Sequence, residues 1–149
     1  MINDNLKLRG DVAIVLKDKN GNVKESREIN NLVVTAGLTY ICSRMTAASA
    51  AVMSHMAVGS STTAAAAGQT DLVSILGSRE ALDSATASAN TIAYVSSFEA
   101  GEGTGAVTEA GIFNASSSGT MLCRTVFAVV NKGADDTMSI TWTITLTAS

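Results

Sequence analysis

Apolar and polar positions alternate along much of this chain. The cleanest run is TMSITWTITLT at 137–147, where Met138, Ile140, Trp142, Ile144 and Leu146 face one way. Thr137, Ser139, Thr141, Thr143, Thr145 and Thr147 face the other. Period two over so long a run predicts a half-buried strand. Near the start, DVAIVLK at 11–17 predicts a strand, DKNGN at 18–22 a turn, and VKESREI at 23–29 the return strand. Asn20-Gly21 is a strong hairpin signal because both residues tolerate positive φ. From Thr35 to about Ala48 the spacing changes. Leu38, Ile41, Cys42 and Met45 recur at three- and four-residue steps, predicting one amphipathic helix over about 35–48 with Thr35 as its N-cap.

The segments that follow are shorter. MSHMAVGS at 53–60 predicts a strand, SSTTAAAAGQT at 60–70 a low-complexity loop, TDLVSIL at 70–76 a short helical turn capped by Thr70, and SREALDSATAS at 78–88 a strand. NTIAYVSSFEA at 90–100 places Ile92, Tyr94 and Phe98 on one face of another strand. Residues 99–120 are rich in Gly and Ser, with a short strand expected only at 110–114. MLCRTVFAVV at 121–130 is an apolar strand. Seven to nine short, mostly antiparallel strands with one short helix predict a mainly β fold, an antiparallel β-sandwich or jelly-roll-like domain. No fixed-period repeat or charged linker divides the chain, so residues 1–149 are expected to form a single domain with a charged hairpin at about 11–29.

Composition sharpens this picture. Of 149 residues, 23 are Ala, 17 Ser, 17 Thr and 12 Gly, while only 15% are charged, against about 25% in an average soluble domain. Residues 1–30 hold six basic and five acidic side chains; the other 119 hold four and eight. A β body so poor in charge suits coverage by other subunits, since interface cores are depleted in charge. The uncharged Thr row of 137–147 suits a second sheet, a partner or a neutral surface. A net charge of −3 argues against nucleic acid as a partner. No run of about 20 apolar residues is present, so no membrane span is expected, and the first ten residues lack a secretory signal pattern. Cys42 and Cys123 make neither a disulfide framework nor a metal motif, and read as two buried, reduced thiols of a chain folded in a reducing cytosol.

Candidate chemistry is sparse. His55 is the one histidine, flanked by methionines, and reads as a structural side chain; G-x-S-x-G is absent, and so are the ligands of a metal site. Glu99, Glu102 and Glu109 form the best acidic cluster. Paired carboxylates serve glycoside hydrolysis or bind Ca²⁺, but the solvated-loop reading is preferred here. GEGTG at 101–105 lacks the Lys-Ser/Thr of a phosphate loop and reads as a flexible loop reaching over a neighbour. Asp135-Asp136 reads as turn chemistry. No cofactor is expected.

One resemblance runs through the segments NNLVVTAGLTYICSRM, MSHMAVGSSTTAAAAGQTDL, SREAL and TIAYVSSFEAGEGTGAVTEAGIFNASSSGTMLCRTVF, followed by the alternating last strand. Taken in order they resemble small virion structural proteins of tailed bacteriophages. In those an N-x-V-x-x-x-G helix start is followed by AVG-x-x-x-T, a T-x-L step, and E-A-G-I-F before G-T-M-L-x-R. The resemblance spans roughly residues 30–147, and the charged hairpin lies outside it. It implies a non-enzymatic virion subunit, made in the host cytoplasm. The short, non-fibrous chain suits a capsid decoration (cement) protein that binds the major capsid protein or neighbouring virion subunits, as a homo-oligomer such as a dimer or trimer. The alternatives are a tail-fibre or baseplate-associated subunit with a receptor- or glycan-binding loop and, last, a virion-associated glycan hydrolase. The expected contact elements are the hairpin 11–29 and the loop 99–119. The interface candidates are Lys17, Lys19, Asn20, Lys24, Arg27, Glu99, Glu102, Thr141 and Thr143.

Overall fold

The computed structural model describes residues 5–46 and 50–148. In chain order the elements are β1 (Leu6–Lys17), β2 (Val23–Asn30), β3 (Leu32–Val33), α1 (Thr35–Ser43), β4 (His55–Gly59), β5 (Glu80–Ala81), β6 (Ser84–Ser88), β7 (Thr91–Phe98), β8 (Gly105–Phe113), β9 (Met121–Lys132) and β10 (Thr137–Ala148). They form two five-stranded antiparallel sheets, ordered β2-β1-β10-β7-β6 and β3-β9-β8-β4-β5. The fold is the expected β-sandwich. Alternation explains the first sheet: Val12, Ile14 and Leu16 of β1, Tyr94 and Phe98 of β7, and Met138, Ile140, Trp142 and Ile144 of β10 all turn inward. They share one core with Met56, Val58, Val107, Ala110, Ile112, Leu122 and Val130 of the second sheet.

The second sheet is covered on both faces, which hides it from a period-two reading. On its outer side Val34, Ala57, Leu72, Phe113 and Met121 form a smaller core beneath the 60–77 loop and α1. β8 therefore has buried residues at every position from Val107 to Phe113. The 99–119 stretch, expected to be a loop with a strand only at 110–114, instead contains a central nine-residue strand, paired with β4 and β9. The turn before it packs against its own body. Gly103 (φ 56°) is buried, and a Cβ there would lie 2.7 Å from Val58 Cγ2.

Further expectations are corrected. Residues 70–76 form no helical turn: the segment bends at Asp71, Val73 and Ser74 and bridges Ile75 to Gly59, with the Leu76 N–H donating to the Val58 carbonyl at 2.9 Å. Helix α1 begins at Thr35 as its first residue, so Val34 is the N-cap and no side chain caps it. It ends at Ser43, short of the expected 48: residues 44–46 form a turn, and 47–48 lie outside the described residues. The helix also presents a different face. Leu38 is 46% exposed, Met45 85%, and Cys42 is exposed too, whereas Gly37 is buried. The cause is backbone contact: a Cβ on Gly37 would stand 2.0 Å from the Leu122 carbonyl oxygen of β9. The glycine face is the one that can approach the sheet, and the apolar stripe of Leu38, Cys42 and Met45 is turned outward by it. At the first hairpin only Gly21 takes positive φ, 83°, while the Gly21 N–H donates to the Asp18 carbonyl and the Asp18 N–H to the Asn22 carbonyl.

Candidate functional site

The interface candidates fall into two places. Lys17, Lys19 and Asn20 stand exposed at the tip of the first hairpin. Asp18 organises that tip: its carboxylate accepts the N–H groups of Asn20 at 2.8 Å and Asn22 at 3.0 Å. The Asn22 N–H is the main reason its pKa lies below the usual carboxylate value. The 99–104 turn lies beside it. Lys17, Asp18, Lys19, Ala100, Asp135 and Thr137 wall an open cleft of about 570 Å³. Glu99 is exposed at its backbone turn, and its N–H donates to the half-buried Glu102 carboxylate at 2.8 Å. The sandwich thus brings the hairpin tip and the Glu99–Glu102 turn to one end.

Lys24 and Arg27 serve the body instead. The Lys24 ammonium contacts the Asp136 carboxylate at 2.7 Å. Arg27 pairs with Glu25 and donates to the Val129 carbonyl of β9 at 3.3 Å, closing one flank of the sandwich. Asp136 also accepts the Gly133 N–H at 2.7 Å, so the Asp135-Asp136 turn is built as expected. Beneath it Lys132, 2% exposed, donates to the carbonyls of Glu99 at 2.9 Å and Asp136 at 2.7 Å. Burial pushes the Lys132 ammonium pKa down, against the pull of Asp136, Glu102 and Glu99.

This end has a pH signature. Lys24 first, then the Gly133 N–H, holds the Asp136 carboxyl below its usual 3.8. A depressed carboxylate binds fewer protons folded than unfolded. Its stabilisation is present above pH 3.8 and is lost as pH falls through the folded value. Lys24→Met should therefore unfold at a lower temperature than the parent at neutral pH, with the gap closing below that window. A gap that stays constant across an acid titration of the melting temperature would show that the two groups are not coupled.

Thr141 and Thr143 lie elsewhere, on the outer face of the first sheet. They pair with Ala13 and Asp11 of β1 and with Val95 and Ala93 of β7. Ala13, Val15, Ala93, Val95, Ser97, Ser139, Thr141 and Thr143 make a contiguous, half-exposed and uncharged field. Charge stands at its border: Arg9 pairs with Asp11 at 2.9 Å, and Glu28 flanks Ala13 on β2.

Two features were not foreseen from the residues. One is an apolar cleft of about 460 Å³ between the sheet ends, walled by Tyr40, Ile41, Val52, Ile92, Tyr94 and Leu146 among others. Burial raises the Tyr94 phenol pKa to about 12. The other is an ion pair. Glu109, read as a solvated loop acid, is fully buried on the outer side of the second sheet. Arg124 Nε and Nη2 donate to its Oε2 at 2.9 and 2.7 Å, and the N–H groups of Val73 and Ser74 donate to the carboxylate at 3.1 and 2.7 Å. Arg124 continues to Gln69 Oε1 and the Thr63 carbonyl. The pair therefore ties the 60–77 loop to the sheet, and Glu109 is separated in role from Glu99 and Glu102.

The remaining reactive side chains are placed as follows. His55 is half-buried, its Nδ1 2.8 Å from the Ser54 hydroxyl. Cys123 is buried, and burial pushes its thiol pKa well above the ordinary value while the Asn31 side chain pulls it down. Cys42 is exposed, correcting the expectation of two buried thiols. Among the described residues no cluster of three or more His, Cys, Asp or Glu side chains is arranged to hold a metal ion, and no helix is long and apolar enough to cross a membrane. No family model, curated protein or solved structure matches the chain.

Proposed function

We propose that the protein is a non-enzymatic structural subunit of a virion that decorates a capsid shell and clamps neighbouring subunits. The observation that carries this reading is the uncharged field on the outer face of the first sheet. Eight neighbouring positions on three adjacent strands carry only Ala, Val, Ser and Thr, half-exposed, with charge confined to the border. A face of this kind loses little hydration when covered, since no ion must be desolvated. An uncharged face of this kind fits a lattice of repeated, individually modest contacts whose avidity multiplies. The order of sequence segments that resembles tailed-phage virion proteins points the same way.

The test is incorporation into particles. Thr141→Lys and Val95→Lys, made separately because the two positions face each other across β10 and β7, should each leave the isolated protein folded, because single substitutions on a solvent-facing surface change stability by about 0.5 kcal/mol. They should abolish its co-sedimentation with gradient-purified virions. The parent chain should be present in hundreds of copies per particle. A handful of copies, or incorporation indifferent to both lysines, would overturn decoration and favour a tail-associated subunit.

A further inference from the structure

An antiparallel sheet ends in strands whose outward N–H and C=O groups invite another strand, and proteins blunt such edges with charge, bulges, proline or brevity. Three edges of this sandwich are blunted. β2 carries Lys24, Glu25, Arg27 and Glu28 within eight residues, and its ladder with β1 is interrupted by an irregularity at Leu16/Lys17. β3 and β5 are two residues each. Where β9 runs past β3, Arg27 reaches across to the Val129 carbonyl. β6 has none of these devices. Ser84–Ser88 are all exposed, uncharged and free of proline, and their pairing with β7 is regular from Ser84↔Val95 to Ser88↔Thr91. Among the described residues, no group bonds to the outer side of this strand from Ser84 to Ala87.

The sequence of β6 adds a second observation: Ser84-Ala85-Thr86-Ala87-Ser88 reads the same in both directions. A two-fold interface must be self-complementary. With the axis at Thr86, antiparallel addition places Ser84 opposite Ser88 of the partner subunit and Ala85 opposite Ala87 of the partner subunit. Thr86 meets Thr86 of the partner subunit. Every opposed pair is identical or matched in size, and none brings like charges together. Ala85 and Ala87 also line the apolar cleft, whose wall includes Val52, 61% exposed. A five-residue ladder alone buries far less than the roughly 1,200 Å² of a stable interface. Docking at β6 sets the two clefts side by side, so each copy covers the apolar wall of the other.

We infer that the chain forms a two-fold dimer by antiparallel pairing of β6 with β6 of a second copy, joining the first sheets into one continuous ten-stranded sheet. This is independent of the virion reading, because it requires no particle. The isolated chain should sediment at twice 15.2 kDa across the micromolar range. Thr86→Lys, which sets two ammonium groups against each other on the axis, should sediment as a monomer with an unchanged circular-dichroism spectrum. In a Cys42→Ser background, Thr86→Cys should cross-link on mild oxidation, since opposed Cα atoms in such a ladder lie about 4.5–5.5 Å apart. Lys19→Cys at the hairpin tip should not. A parent chain that is monomeric, or a dimer that survives Thr86→Lys and fails to cross-link at position 86, would overturn the inference.

Discussion

Replacing Arg124 by leucine should cost about 3–5 kcal/mol of folding stability, because it leaves an ionised carboxylate buried without its counterion. That is a large share of the roughly 5–15 kcal/mol that holds an ordinary domain together. In a chain of this size it lowers the melting temperature by on the order of 10 °C. The cost is high because the site has no solvent to fall back on: both side chains are 0% exposed. Glu109→Leu should cost a similar amount by the opposite route. It strands the Arg124 cation and leaves the N–H groups of Val73 and Ser74, which donate to different oxygens of the carboxylate, without an acceptor. The double variant with leucine at both positions should lose less than the sum of the singles, as expected of two partners in direct contact. It should not recover fully, since the N–H groups of Val73 and Ser74 and the Thr63 carbonyl lose their partners too. Urea denaturation of the four proteins measures this. A loss below about 1 kcal/mol for either single variant would place the pair in the weak, solvent-screened class and sink the argument.

The second large effect is expected at Trp142. Its side chain is 0% exposed in the middle of β10, between Val12 of β1 and Tyr94 of β7. Truncation to alanine should cost about 3–5 kcal/mol through lost contacts and the cavity left behind. Phenylalanine should be far milder, within about 1–2 kcal/mol. It gives up volume but also removes an indole N–H that has no hydrogen-bond partner in its pocket. As the chain's one tryptophan, it also reports on its own environment. Its fluorescence should be blue-shifted when folded and move red in a single transition with the loss of β circular dichroism. An alanine variant nearly as stable as the phenylalanine variant would mean that the sheets close over the gap.

How much of this was legible depended on whether an element has one wet face. β10 and β7 each turn one face to the core and one outward, so their alternation announced both the strands and their inward residues. β1 was visible for the same reason, although it starts at Leu6 rather than at 11. β8 was hidden because both its faces are covered: GAVTEAGIF has no polar row to set a period, and its glycines suggest a loop. α1 was visible as an element but not in orientation. Helical period finds the apolar stripe, whereas the close backbone approach at Gly37 decides which side meets the sheet. The ion pair could not be seen as a pair. Glu109 and Arg124 are separated by fifteen residues and meet only because β8 and β9 pair with Gly111 opposite Arg124. One hint existed: an isolated arginine within the apolar run MLCRTVF needs a partner if that run is buried. The hairpin itself was legible from Asn20-Gly21 between its two strands. That Lys24 and Arg27 anchor the hairpin to the body, while Lys17 and Lys19 stand free at its tip, depends on partners more than a hundred residues away.

The order of strands in the first sheet sets when this protein can fold during its own synthesis. β10, the last in chain order of the strands described, lies between β1 and β7, paired with β1 over twelve residue pairs and with β7 over eight. Until residues 137–148 have left the ribosome the sheet is split. The β1–β2 hairpin then exposes Val12, Ile14 and Leu16, and the β6–β7 hairpin exposes Tyr94 and Phe98, with nothing to join them. At about 5–20 residues per second the nascent chain carries those open, apolar strand edges for several seconds. Stretches of charge such as that on β2 then serve as gatekeepers before the native sheet exists, and nascent copies brought close together on one message are where mispairing would begin.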